Sequence, residues 1–199
     1  IDTYGNVSTA SQTVTVTDNI APVITAPATI TVNAGATCSA TVVLTAPAVS
    51  DNCTAPNNIV LTNNAPATYS VGINTVTWTA TDASGNTSTC VTVVTVVDTE
   101  APVMQNCPGN LTVGSYSGCS SVPNWSSPIA SDNCDSTVTI VQTQGPSPFA
   151  VLSPGVYTVE YKATDSSLNS SYCNFTVTVV GDSSPMLVAP SNVSLKNTD

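Results

Sequence analysis

The sequence predicts an all-β protein made of tandem copies of one antiparallel sandwich. Three observations carry that expectation. Valine and threonine dominate a chain that is 41% hydrophobic and only 5% aromatic, and β-branched side chains suit pleated strands better than helices. Fourteen prolines, ten glycines and frequent Asn, Asp and Ser break the sequence at short intervals, as turns do. Landmarks also recur in one order: Ala21-Pro22-Val23-Ile24 returns as Ala101-Pro102-Val103-Met104, Ser50-Asp51-Asn52-Cys53 as Ser131-Asp132-Asn133-Cys134, and Ala80-Thr81-Asp82 as Ala163-Thr164-Asp165. The offsets drift slowly, from 80 through 81 to 83 residues, as small loop insertions in a repeat would make them do.

The ends belong to the same series. Asp2-Thr3-Tyr4-Gly5-Asn6 matches Asp82-Ala83-Ser84-Gly85-Asn86, and Ser184-Pro185-Met186-Leu187-Val188-Ala189-Pro190 matches the run from Ala21 to Pro27. The expected layout is therefore the last strand of one copy (1–17), a full copy (18–98), a second full copy (99–182) and the first strand of another (183–199). Residues 1–17 are expected to pair poorly unless something supplies the missing strands.

Within the first copy the expected strands are Ile30–Val32, Thr41–Leu44, Ile59–Thr62, Thr75–Thr81 and Cys90–Val97, each a β-branched or alternating run. Along Thr75–Thr81, Val76, Trp78 and Ala80 share one face. In the second copy Val159, Tyr161 and Ala163 take the same inward positions, while Glu160 and Lys162 point outward. About seven short strands in ~80 residues around an aromatic plug fit an immunoglobulin-like sandwich. Gly85-Asn86 supplies the positive φ of a tight turn. The second copy has Leu168-Asn169 there, at a cost in strain or a changed turn.

Charge excludes several function classes. Against 12 acidic residues there are only Lys162 and Lys196, with no His and no Arg, for a net charge of −10 over 199 residues. Neither a nucleic-acid surface nor a polybasic membrane anchor can be built from two lysines. No imidazole base or triad is available, no Gly-x-Ser-x-Gly elbow exists, and the expectation is not an enzyme. No apolar run reaches the ~18 residues of a membrane span.

The motif set resembles the hyalin-repeat family. Asp98 to Pro102, Cys107-Pro108, Ser131 to Cys134, Gly72 ahead of Trp78, and Ala80 to Cys90 carry the likeness over nearly the whole chain. Ala26 and Ala189 stand where Cys107 stands, and Ala10 where Cys90 and Cys173 stand. The resemblance implies an immunoglobulin-like fold and an extracellular, adhesive or spacer role. The flavour of the sequence is similar to hyalin-repeat arrays of giant surface adhesins from gliding, Bacteroidota-type bacteria.

Seven cysteines without a Cys-x-x-Cys spacing read as staples of an exported protein rather than a metal or redox site. From family members, the resemblance implies the pairs Cys38–Cys53, Cys119–Cys134 and Cys107–Cys173, with Cys90 unpaired because Ala26 has replaced its partner. A bond from Cys90 to Cys107 stays open as the rival.

The acidic residues are the one candidate site. In an immunoglobulin-like module the loop after the second strand, the loop before the last strand and the incoming linker share one pole. Asp98 and Glu100 of the linker, Asp132, Asn133 and Asp135 of one loop and Asp165 of the other could there surround a hard cation such as Ca²⁺, which prefers oxygen ligands. Their alternative is to bond their own turns. No cofactor is otherwise required. The function expected is a structural and adhesive segment of a large cell-surface protein, acting as spacer or stalk. The alternatives are a subunit of an extracellular filament built from identical chains, and a module gripping surface glycans or proteins through its pole loops, for which Trp125 and Tyr116 are the candidate exposed aromatics. Other repeats of the same chain are the first partners.

Overall fold

The computed structural model describes residues 3–115 and 119–181. The expected strand within 183–199, and Tyr116, lie outside the described residues. The chain divides into two compact units between Thr99 and Glu100. Among the described residues every regular element is a strand except one 3-10 turn, Pro56–Asn58.

In the first unit the strands are β1 (Val23–Thr25), β2 (Ile30–Asn33), β3 (Ser39–Ala40), β4 (Ala48–Ser50), β5 (Val60–Asn63), β6 (Tyr69–Ser70), β7 (Gly72–Thr81) and β8 (Thr87–Val97). A four-stranded sheet runs β2-β8-β7-β5, with the small pairs β1-β4 and β3-β6 beside it. The second unit holds β9 (Val103–Gln105), β10 (Leu111–Gly114), β11 (Ile129–Ser131), β12 (Thr139–Gln144), β13 (Gly155–Thr164) and β14 (Ser170–Val180). Its order is β10-β14-β13-β12, with β9-β11 as the small pair and a Ser121–Leu152 bridge where β3-β6 stood. The two units thus share one strand order. Each includes a parallel pair that the antiparallel expectation did not contain: β2 with β8, and β10 with β14.

The central strands are long because their alternation is unbroken. On β7, Val76, Trp78 and Ala80 are buried while the threonines between them are half-exposed. The Trp78 indole N–H is satisfied inside by Thr92 Oγ1 at 3.0 Å, as a buried indole requires. The first core joins Val76 and Trp78 to Tyr69, Val94 and Val96. In the second, Val159, Tyr161, Cys173, Phe175, Val177 and Val179 pack together, with Tyr161 stacked on Phe175 at 6.5 Å.

Two expected strands differ. Of Thr41–Leu44 no residue joins a ladder; pairing stops at Ala40. The alternation there reports burial only, since Val42 and Leu44 pack on the core while Val43 is 97% exposed, and β6 offers just two residues to pair with. Residues 3–17 form no strand, with Val7, Val14 and Val16 exposed, because no neighbouring strand supplies the backbone partners a ladder needs.

Candidate metal centre

In the first repeat three segments converge at one end of the sandwich: the linker from Asp18, the loop 51–54 and the β7–β8 turn 82–86. Asp82 closes that turn. Its Oδ1 accepts from the Ser84 and Asn86 amides at 2.9 and 2.8 Å, and its Oδ2 accepts from Asn86 Nδ2 at 2.7 Å. Gly85 takes the left-handed φ of 88° that the turn needs. Burial pushes the Asp82 carboxyl up, but the bonds from Asn86, then Ser84 and Gly85, outweigh it and hold the group below the usual carboxylate range. The Asn86 amide also donates to the carbonyls of Asp18 and Ile20 at 3.2 and 3.3 Å, drawing the linker to the turn.

Asp51 closes its own loop, its Oδ2 accepting from the Cys53 and Thr54 amides at 2.9 and 2.8 Å. Asp18 Oδ1 accepts from the Ile20 amide at 3.1 Å. Thr54 is buried, and its Oγ1 accepts from the Ala83 amide at 3.2 Å, tying loop to turn. The result is that one carboxylate oxygen from each of Asp18, Asp51 and Asp82 lies within 4.8 Å of the others. The oxygens that the loops leave unused, Asp18 Oδ2 and Asp51 Oδ1, expose less than 1 Å² each and meet no hydrogen-bond donor.

The second repeat rebuilds the same pole. Asp165 accepts from the Asn169 amide at 2.8 Å and from Asn169 Nδ2 at 2.9 Å. Leu168 takes the glycine's place at φ 71°, the strain expected from the sequence. Asp132 Oδ1 accepts from the Cys134 and Asp135 amides at 2.8 and 3.1 Å, leaving Oδ2 buried without a donor. Asp135 Oδ2 accepts from the Ser166 amide at 2.6 Å and Oδ1 from the Ser166 hydroxyl at 2.8 Å, bonds that hold this carboxyl low.

Of the six expected ligands, Asp132, Asp135 and Asp165 of the second unit fall in one group, with oxygens within 4.8 Å. Glu100 is in no such group; with Ala101, Val103, Asp132 and Asn133 it lines a depression on the surface. The whole set Asp18, Asp51 and Asp82, grouped in the first unit, was absent from the expected ligands. The repeat offsets of 80, 81 and 83, applied to Asp98, Asp132 and Asp165, lead to those three.

The cysteines divide. Cys107 and Cys173 are joined, Cα to Cα 5.8 Å, across a separation of 66 residues. Cys53, Cys90 and Cys119 carry free thiols, so the short pairs Cys38–Cys53 and Cys119–Cys134 are not formed. Cys53 Sγ instead receives Asn52 Nδ2 at 3.0 Å. Cys38 sits at φ 57° in a turn closed by its own bonds from Cys38 and Gly35, and Cys119 repeats that backbone at φ 58°. Burial pushes the Cys90 thiol up, as it does Cys53, where the Asp18, Asp51 and Asp82 carboxylates add to it. Trp125 is not an exposed platform. Its ring meets Phe175 edge-on at 5.5 Å and its N–H donates to the Tyr161 hydroxyl at 3.1 Å.

Residues 7–96 and 97–179 each match the HYR domain family. The chain belongs to the HYR domain family. Hyalin of Strongylocentrotus purpuratus is 36% identical over 132 residues, 63% of this chain and 11% of hyalin. The sushi, von Willebrand factor type A, EGF and pentraxin domain-containing protein 1 of Rattus norvegicus is 31% identical over 131 residues, 64% of this chain and 4% of that protein. The chain thus spans about a tenth or less of the curated relatives it matches. Among solved structures, human protocadherin-24 EC1-2 aligns over 81% of this chain and 100% of its own, at 15% identity and a TM-score of 0.39. HYR domains are non-catalytic, and a disulfide-bonded HYR pair belongs to the extracellular or cell-surface side. Among the described residues no helix is long and apolar enough to cross a membrane.

Proposed function

We propose that this chain is a non-enzymatic, force-transmitting spacer segment of an extracellular adhesion-type protein. One observation carries the reading: in each HYR repeat the first long-sheet strand and the last strand lie side by side in parallel. Ile30–Asn33 pairs with Val94–Val97, extended by the Ala34 amide to the Val97 carbonyl at 2.8 Å. Leu111–Gly114 pairs with Val177–Val180, extended by the Ser115 amide to the Val180 carbonyl at 2.9 Å. Tension drawing a repeat out by its two ends pulls these strands in opposite directions along their length. Their hydrogen bonds are then loaded together in shear rather than opened one after another. The Pro-containing linkers favour spacing too, since proline restricts its own φ and the residue before it. Neighbouring repeats and protein partners fit such a segment better than a glycan platform, because Trp125 is part of the core.

Single-molecule stretching tests this. Ala34→Pro removes one clamp bond in the first repeat, and Ser115→Pro one in the second. Each substitution is expected to lower the rupture force of its own repeat only. Equal forces in all three chains would contradict the reading.

A further inference from the structure

We infer that copies of this chain bind one another head to tail, Phe149 of one copy seating in an Ala- and Pro-lined pocket on the first repeat of another. The inference goes beyond the spacer reading, and its failure would leave the stretching result untouched.

The knob is built by the second repeat alone. Thr164 lies 25 residues after its partner Thr139, but Thr81 only 21 after Val60, and the longer stretch makes the connection from β12 to β13. That connection is braced. Gln142 Nε2 donates to the carbonyls of Gln144, Gly145 and Pro146 at 3.1, 3.1 and 2.7 Å. Gly145 sits at φ 88° against the Thr158 carbonyl, with no room for a Cβ. Pro146 and Pro148 fix two more φ angles. Beyond them Phe149 N donates to the Pro123 carbonyl at 2.9 Å, and Ser121 and Leu152 exchange bonds at 2.9 and 2.8 Å. Ala150 and Leu152 pack on the core, so alternation turns Phe149 and Val151 outward, with Val122 beside Val151. All three are exposed, Phe149 by 66%. Phe149 also holds φ 63°, a left-handed backbone that a bulky residue keeps only where its surroundings impose it. A large apolar ring is thus held out from a loop that has little freedom left to lose on binding.

The pocket belongs to the first repeat. Two Thr-Ala-Pro-Ala runs, one from Thr25 and one from Thr45, line a space of 380 Å³. In the second repeat Cys107, bonded to Cys173, and Ile129 stand where Ala26 and Ala48 leave this room. The walls are methyls and proline rings with a few hydroxyls and no charge, which suits an apolar group. A cavity of about 150 Å³ already takes a benzene ring.

Charge selects a second copy as the occupant. The chain carries −10, so two copies repel wherever their carboxylates meet. No charged residue occurs between Asp18 and Asp51 or between Asp135 and Glu160, so knob and pocket can meet without opposing acids. They lie on different repeats and are not the same surface. The contact is therefore heterologous, and each chain keeps a knob or a pocket open for the next. A buried Phe covers about 150–250 Å², well short of the roughly 800 Å² per partner of a stable complex. One contact is weak, and arrays gain from many at once.

Sedimentation velocity of the whole chain, its free thiols alkylated so that no disulfide forms between copies, decides it. The sedimentation coefficient should climb with concentration toward about 1 mM, with no halt at a dimer. Phe149→Asn removes the ring and leaves a residue that tolerates the left-handed backbone. Ala46→Glu puts a charge into the pocket at an exposed position. Each variant alone should stay monomeric. Mixed, they should form a one-to-one complex and nothing larger, since one knob and one pocket survive. Circular dichroism checks both folds, and Ala28→Glu replaces Ala46→Glu if that chain does not fold. A chain that stays monomeric at every concentration would overturn the proposal, including one that instead floats with phosphatidylcholine vesicles. So would self-association of Ala46→Glu alone, the mark of Phe149 meeting Phe149, or a mixture that forms no complex.

Discussion

Thr54 and Asp135 make one and the same hydrogen bond in the two repeats, each tying the loop after the short strand pair to the turn before the last strand: Thr54 Oγ1 receives Ala83 N at 3.2 Å, and Asp135 Oδ2 receives Ser166 N at 2.6 Å. A hydroxyl and a carboxylate thus do equivalent structural work at equivalent positions. Thr54→Val keeps the shape and leaves the Ala83 amide unpaired. It is expected to cost about 1–2 kcal/mol, read as a lower urea midpoint at unchanged slope.

Acid should loosen these turns. Hydrogen bonds hold the Asp82 and Asp135 carboxyls below their ordinary value in the folded chain, so the unfolded chain binds more protons as pH falls. Their contribution is complete above the unfolded value of about 4 and is lost as pH drops through the folded values. Urea midpoints are expected to be flat from pH 7 to 5 and to decline below that. Asp135→Asn should make the acid decline shallower; an unchanged slope would show that its bonds to Ser166 do not matter to folding.

Leu168 occupies the left-handed position that Gly85 holds in the first repeat, at φ 71° against 88°. Its side chain is 81% exposed, so little packing would be lost by deleting it. Leu168→Gly is expected to stabilise the chain by roughly 1 kcal/mol, and Gly85→Ala to destabilise it by a similar amount. Thermal melting of the two variants checks both signs.

The disulfide should be transferable. Ala26 stands where Cys107 stands, and Cys90 is a partly buried free thiol where Cys173 is bonded. Ala26→Cys is expected to oxidise onto Cys90 in air, seen as a cross-linked peptide after cleavage at Asp without reduction. In the second repeat, replacing Cys107 and Cys173 together by Ala should cost about 4 kcal/mol, for a 66-residue loop.

The inward faces were legible because the repeats state them twice: Val76-Trp78-Ala80 and Val159-Tyr161-Ala163 are inward triplets at one offset, and both are buried. Pairing partners were less legible. The alternation of Thr41–Leu44 gave its burial and not its missing ladder, because a side-chain pattern says which face is buried and not whether a neighbouring backbone is there. The loop acids Asp132, Asp135 and Asp165 were legible by type and position, but Glu100 was included on residue type, and the first repeat's Asp18, Asp51 and Asp82 were passed over. Chemical character does not fix the direction of a side chain in a loop. The cysteine pattern fails at Cys53 and Cys119 for the same reason, since sequence position alone does not bring two Cβ atoms to bonding distance.

Stretching the chain with its disulfides reduced tests the spacer reading most directly, because the two repeats share one parallel clamp. At about 3.5 Å per residue, each should release up to about 280 Å when its clamp yields. With Cys107–Cys173 left intact, 66 residues of the second repeat stay locked, and it should release no more than about 60 Å. After reduction both should release the long increment, each at a clear rupture force. Two gradual extensions with no force peak, before or after reduction, would contradict a clamped spacer.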